Sequence, residues 1–250
     1  IKLFVRYGGS KSASFFSLPY LQFLFRYFFS MQRGILVQGS TGLKFYSNFI
    51  SSNIFTSSNF VKDIFLRKKP LSKKINNINV LISTGTDYKR KGFLLILESL
   101  KNFDNDLFNF SIIGCNRKVI SEIKKCRMKN SVKLFPDLNQ KQLGKVIENS
   151  QVLLHPSYKE GLPNLILESM AKGLFIITTD VGSIPDLVKD GKNGYVIKSG
   201  SSALISKSLN KLSKNKDIIY KSSKDNINLI ENNYSENIVV PQTVSFLINA

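Results

Sequence analysis

From Asn79 to Lys198 the chain alternates short runs rich in Ile, Leu, Val and Phe with segments of about ten residues whose apolar positions recur at helical spacing. Strands are read over Asn79 to Ser83, Phe108 to Ile113, Ser131 to Phe135, Gln151 to His155, Leu174 to Thr179 and Gly194 to Lys198. Helices are expected between them, over Gly92 to Asn102, Lys118 to Met128, Gln140 to Asn149, from Pro163 toward Gly173, and over Ser183 to Lys189; Lys-rich helices run to the end. This order means an α/β chain with a parallel, doubly wound sheet. Sheets of that kind bind ligands beyond the carboxyl ends of their strands, so the loops that follow the strands carry the functional question.

The most informative of those loops opens the stretch from His155 to Gly173, H-P-S-Y-K-E-G-L-P-N-L-I-L-E-S-M-A-K-G. Pro163 is expected as the first helical residue, because its missing N–H is one that a helix start leaves unpaired. The helix then begins at Gly161-Leu162-Pro163-Asn164, with its free N–H groups and positive dipole end over the strand, where a phosphate can sit. Glu160 and Glu168 flank this start and suit sugar hydroxyls, since a carboxylate accepts hydrogen bonds and repels phosphate. A second wall is Thr84 to Gly92, where Lys91 precedes a helix as a mobile point charge for a phosphate oxygen; the plain alternative is that Lys89-Arg90-Lys91 is a solvated basic turn. The third wall is Thr179 to Asp186. Ser183 and Asp186 read there as a capping-box-like pair, with Gly182 open to a ligand role.

The first part of the chain is less regular. It opens on a strand-like run, Ile1 to Val5, followed by a Gly8-Gly9 turn that is either a plain turn or a phosphate contact. Phe15 to Met31 is crowded with aromatics and reads as a helix buried between layers, or as one lying in a membrane interface. A strand over Gly34 to Gln38, a helix over Thr41 to Phe49 and a strand over Ser52 to Thr56 follow, and Lys68 to Lys74 is the best linker. The formal charge of +19 favours polyanionic or acidic-surface partners, or reflects frequent Lys in a biased genome. Two cysteines without framework spacing, Cys115 and Cys126, fit a reducing compartment, and the single histidine, His155, argues against a His-based metal site.

These residues resemble the GT-B retaining glycosyltransferases of family 4, which use nucleotide sugars. The matching pattern is Gly85 with Lys91-Gly92, then His155-Pro156-Ser157, then the E-x7-E pair Glu160 and Glu168 with Gly161 and Pro163. Ala171, Gly173, Gly182, Pro185 and Asp190-Gly191 with Asn193-Gly194 complete it. Residues 78 to 200 carry the resemblance, and residues 1 to 70 match more loosely, with Gly8-Gly9 as the phosphate loop and Asn59 as an interdomain asparagine. The resemblance implies a GT-B fold of two Rossmann-like domains: a partial N-terminal acceptor domain (1–70), a linker (71–77), a donor domain (78–215), and C-terminal helices (216–250) packing back toward the N-terminal domain. The first strands of that N-terminal domain are expected upstream of Ile1.

The same resemblance implies roles. Lys91 would hold donor phosphate and Glu160 the transferred sugar, these two being the catalytic pair. Glu168 would take the ribose hydroxyls, and Gly161, Leu162, Pro163 and Asn164 the diphosphate. The backbone at Phe135 and Pro136 would read the nucleobase, with Gly85, Thr86, Arg90 and His155 completing the donor site. Two departures stand out: Thr86 where the family has arginine, with Arg90 next to Lys91 as a substitute, and Asp186 where it has glutamate. The implied reaction moves a sugar from a nucleotide-diphosphate sugar to a glycan or lipid-linked acceptor in surface polysaccharide or lipopolysaccharide synthesis, with retention and without a cofactor or required metal. Cytoplasmic placement, peripheral contact with an anionic inner membrane face and no nucleic-acid partner go with it. A truncated inactive remnant, a GT-B sugar-nucleotide epimerase and a basic nucleic-acid-binding protein remain as alternatives.

Overall fold

A computed structural model describes residues 4–7, 27, 34–48, 53–67, 69–74, 76–101, 103–126 and 128–249. Gly8, Gly9 and the aromatic segment 15–31, apart from Tyr27, lie outside the described residues. Three short strands, β1 (Phe4–Tyr7), β2 (Gly34–Val37) and β3 (Ile54–Thr56), form a parallel sheet in the order β1-β2-β3, with helix α1 (Gly39–Ser47) between the last two.

A chain segment from Ser57 to Asn77, with one 3-10 turn at Asp63–Phe65, leads to the second sheet. Its elements alternate as expected: β4 (Ile78–Ser83), α2 (Phe93–Leu100), β5 (Phe108–Ile113), α3 (Arg117–Cys126), β6 (Ser131–Phe135), α4 (Gln140–Glu148), β7 (Val152–His155), α5 (Asn164–Ala171), β8 (Phe175–Thr179), α6 (Ile184–Leu187) and β9 (Gly194–Ile197). The six strands are parallel in the order β6-β5-β4-β7-β8-β9. The chain therefore winds outward from β4 to one edge, returns to β7 and winds to the other. The loops after β4 and β7 part at this reversal and leave a crevice between them.

Strand residues bury both faces. Val80 and Ile82 face one core with Phe93, Ile96, Val119 and Leu209, from α2, α3 and α7 (Ser202–Lys214). Leu81, between them, faces the other core with Ile147, Ile166, Met170 and Ile184. Each such fully buried aliphatic side chain contributes about 1.5–3 kcal/mol, so the sheet is a firm base for its loops.

Two expectations change at helix ends. Pro163 is the residue before α5 rather than its first: its φ of −71° would suit either position, but its ψ of 125° is extended, so helical geometry starts at Asn164. Ser183 makes no side-chain capping bond to α6. Asp186 instead reaches the first sheet's helix, accepting the Ser40 N–H at 2.9 Å and the Ser40 hydroxyl at 2.5 Å. The helix α6 is a single turn, and a short carboxylate at its third position is better used by two outside donors than by folding back on its own chain.

The expected return of residues 216–250 divides in two. Helix α8 (Asp217–Asn233) lies along α5, with its buried Asn226 amide donating to the Leu174 carbonyl. Helix α9 (Glu236–Asn249) meets the three-stranded sheet, stacking Phe246 on Phe55 with centroids 4.9 Å apart. The contacts of Asp186 and α9 join the two sheets. Asp186→Ala, which strips the start of α1 of an N-terminal acceptor, is expected to cost about 1 kcal/mol and to speed amide exchange at residues 39–43, measured by hydrogen-exchange mass spectrometry. Unchanged exchange there would remove Asp186 from that role.

Candidate functional site

Lys91 sits one residue before Gly92, which leads into α2 with a left-handed φ of 71°. A Cβ at Gly92 would collide with the Pro156 carbonyl oxygen, so only glycine lets the β4–α2 loop lie directly on the loop after β7. Backbone bonds then fasten the loops together. The Tyr158 N–H donates to the Arg90 carbonyl at 2.9 Å, and the Ser183 N–H of the third loop donates to the Gly161 carbonyl at 2.9 Å. All three expected walls are therefore neighbours at the carboxyl ends of the strands.

This stitching brings Lys91 and Glu160, 69 residues apart in the chain, to 2.6 Å. Glu160 receives four groups: the Lys91 ammonium, the Ser157 hydroxyl at 2.8 Å, His155 Nε2 at 3.1 Å and the Arg90 guanidinium at 3.5 Å. All four face the same oxygen, Oε1, and Oε2 has no partner among the described residues. Burial pushes the Glu160 carboxyl up, but the hydrogen bonds from His155 and Lys91 and the charge of Lys91 outweigh it and hold it well below the usual carboxylate range. His155 is buried at the end of β7, and that burial pulls its imidazole below its ordinary value against the opposing bond to Glu160. A neutral imidazole that donates through Nε2–H leaves the fixed negative charge to be balanced by Lys91.

Glu168 is the opposite case. It lies on α5, and its carboxylate has no hydrogen-bond partner among the described residues; burial pushes it up to about 7. The N–H groups of Asn164 and Leu165 at the start of the same helix are likewise without partners among the described residues, as a helix start leaves them. The site thus offers a lysine, a helix start, one carboxylate already ionised and one poised to ionise.

The other expected residues fall in distinct places. Gly85 lies against the Lys91 side chain, 3.4 Å from Cε to an added Cβ. Thr86 is exposed with no side-chain partner among the described residues, so it supplies no charge to replace an arginine. Arg90 converges on Glu160 but is also held by the Lys159 carbonyl at 2.5 Å and by Asp87 at 3.9 Å. Leu162 presents its carbonyl to Asn59 at 2.7 Å, and Asn59 in turn accepts from Gln38, so this asparagine ties the end of β2 to the start of α5. Phe135 and Pro136 end the edge strand β6, and the Phe135 carbonyl accepts the Cys115 N–H at 2.9 Å. Sequence reasoning left Ser157 without a role. Its position three residues before Glu160 in a loop was the available signal, since a turn returns such a hydroxyl to the carboxylate.

Comparison with known proteins decides what carries this geometry. The family model of the glycosyl transferases group 1 matches residues 66–235, well over half of the chain. The chain belongs to the glycosyl transferases group 1 family. Among its curated relatives, the lipopolysaccharide glucosyltransferase WaaG of Escherichia coli is 26% identical over 141 residues, covering 54% of this chain and 36% of that protein. The uncharacterized glycosyltransferase MJ1178 of Methanocaldococcus jannaschii is 28% identical over 126 residues, covering 49% and 35%. These matches thus span 36% and 35% of the relatives' own length. Sucrose-phosphate synthase of Thermosynechococcus elongatus superposes with a TM-score of 0.83 at 9% identity, covering 100% of this chain and 68% of that one. Anabaena Alr3699/HepE, solved in complex with UDP-glucose, gives 0.80 at 13% identity, covering 99% and 72%. The likeness to solved structures establishes the fold of this group 1 member as GT-B.

Proposed function

We propose that this group 1 glycosyltransferase transfers a hexose-type sugar from a nucleotide-diphosphate sugar to a glycan or lipid-linked acceptor of a surface polysaccharide, with retention of configuration. The observation that supports this most is the Lys91–Glu160 pair at 2.6 Å, with the open start of α5 following four residues after Glu160 and the unpartnered Glu168 carboxylate on that helix. Donor phosphate takes Lys91 and the N–H groups of Asn164 and Leu165; the charge that builds on the departing diphosphate is stabilised by groups already in place. Glu160 keeps Oε1 on its internal donors and offers Oε2 to the transferred sugar. Glu168 accepts the ribose hydroxyls, and the backbone past Phe135 meets the base. No metal or cofactor takes part in this reading. An acceptor bound between the sheets fits the same placement, and peripheral attachment to an anionic membrane fits the excess of 36 Lys and Arg over 17 Asp and Glu.

The experiment is calorimetric titration of the longest expressible form with UDP- and GDP-sugars between pH 5.5 and 8. Hydroxyls donate best to an ionised carboxylate. Donor binding should therefore release a proton, and affinity should rise with pH until it levels off above the Glu168 value of about 7. Glu168→Gln is expected to lose most donor affinity and all of that pH dependence. Linkage also sets the sign for stability. A carboxyl raised in the folded state favours the protonated native protein, so burying its charge costs stability above about 7 and nothing well below the unfolded value. Glu168→Gln should then raise Tm more at pH 8 than at pH 5. Failure of every nucleotide sugar to bind, or an inverted anomeric product by NMR, would overturn the proposal.

A further inference from the structure

A long polar groove lies over the amino ends of β4 and β5 and runs along β6 to Phe135. Two concavities, of about 540 and 430 Å³, share Asn79 and Asn109 and so join into one depression. Its floor is set by strand register: Asn79 pairs with Asn109, which pairs with Ser131, and the next row on the same face continues through Ser111 to Lys133. Gln151, at the start of β7, extends the first row by accepting the Asn79 N–H at 2.9 Å. Helices cover this sheet face at Leu81, Leu153 and Ile176 but leave the side chains of Asn109, Ser111 and Lys133 lining open space.

The chemistry of the lining is one-sided. Lys74, Lys133 and Lys145 border it, amides and serine hydroxyls fill the rest of its polar surface, and among the described residues no carboxylate lines either concavity. Asn79 is held by Asn149 and Asn109, at 2.9 and 3.1 Å, so the floor is rigid. The side chains of Lys133, Lys145, Ser111 and Ser131 have no partner among the described residues. Amides that both donate and accept, set beside hydroxyls on a fixed spacing, match vicinal sugar hydroxyls, and the lysines match acidic substituents.

We propose that this groove binds an anionic polysaccharide, at a site that meets the donor crevice only at Phe135 and shares none of its charged groups. A polynucleotide fits it less well: no arginine among the described residues lines it, Phe110 is buried at 1% exposure and Phe135 is half-buried, so neither ring is presented for base stacking. An acidic peptide fits less well too: the one free strand edge beside the groove is the outer side of β6, where an added strand would lie in the plane of the sheet and not over the floor, and β4 and β5 are paired on both sides. A chain held here keeps a charged glycan on the protein while its end is elsewhere, which raises the local concentration of that end.

The test is calorimetric titration of the protein with an oligogalacturonide, beside a neutral dextran oligomer of equal length, poly-glutamate and single-stranded RNA. The oligogalacturonide is expected to bind more tightly than the other three. Replacing two attractive charges by repulsive ones in Lys133→Glu/Lys145→Glu should weaken it at least about tenfold. Ser131→Tyr, which fills the groove from the exposed edge strand without changing charge, should weaken it similarly. Lys207→Glu/Lys214→Glu on α7, outside the groove, should leave it unchanged, and none of the variants should alter nucleotide-sugar affinity. Absence of oligogalacturonide binding, equal binding of poly-glutamate or RNA, undiminished binding by the groove variants, or equal losses in the α7 pair would each overturn the proposal. Because donor affinity is read separately, failure here leaves the donor-site proposal standing, and the reverse.

Discussion

Lys91→Ala is expected to lower kcat/KM for the nucleotide sugar by about 10²–10³-fold, measured by release of nucleoside diphosphate, with most of the loss in kcat. The ammonium is the one cation here that rests directly on Glu160 at 2.6 Å while having no other partner among the described residues. Arg90 is held by Lys159 and Asp87, and Thr86 brings no charge, so neither takes over. The substitution should also leave Glu160 as a buried carboxylate whose nearest charge is gone, raising its protonation toward the ordinary range. Lys91→Arg is expected to restore part of the binding and little of the rate, since a planar fork cannot occupy the place of a point charge on a shorter reach. A Lys91→Ala protein that kept a tenth or more of its activity would show that the helix start alone stabilises the leaving group.

Gly92→Ala is expected to be the most damaging single methyl group in the site. It adds the strain of a left-handed residue, of order 1–3 kcal/mol, to a collision with backbone that has no room to yield. A total near 3 kcal/mol corresponds to a fall in Tm on the order of 8 °C, followed by differential scanning calorimetry. Gly191→Ala is the control. It shares a positive φ of 73° but meets nothing within 4 Å, so it should show the conformational part alone. Donor affinity should fall with Gly92→Ala and not with Gly191→Ala, because only the former separates the loops that bring Lys91 to Glu160. Equal effects of the two would mean that the close approach to Pro156 carries no stability.

The fold was legible because burial on two faces leaves a pattern that local sequence cannot hide. Expected and observed strands agree to within a residue at Ile78–Ser83, Phe108–Ile113 and Ser131–Phe135, where β-branched and aromatic residues end at polar turns. Helix ends were less legible. Met128 was expected inside a helix that stops at Cys126, since apolar spacing continues past the helix end, and Asn102, expected at the end of another, lies outside the described residues. In the site, Lys91, Glu160 and Glu168 could be singled out because each lies at a strand end or helix start. Their arrangement could not. The Lys91–Glu160 contact spans 69 positions and depends on the carbonyl of Pro156 and the N–H of Tyr158, backbone groups that nearly any residue would supply and no motif records. The same blindness explains Asp186. Its spacing from Ser183 suggested a local cap, whereas its partner, Ser40, is 146 residues away.

The backbone stitching of the three loops bears on how such a chain can be altered. Tyr158 to Arg90 and Ser183 to Gly161 are bonds of fixed length between segments that are remote in sequence, so none of the loops can gain or lose a residue without breaking its fit to the others. Exchange of one loop with a relative to change sugar preference should give inactive chimeras, while grafting all three as a set should carry the preference across.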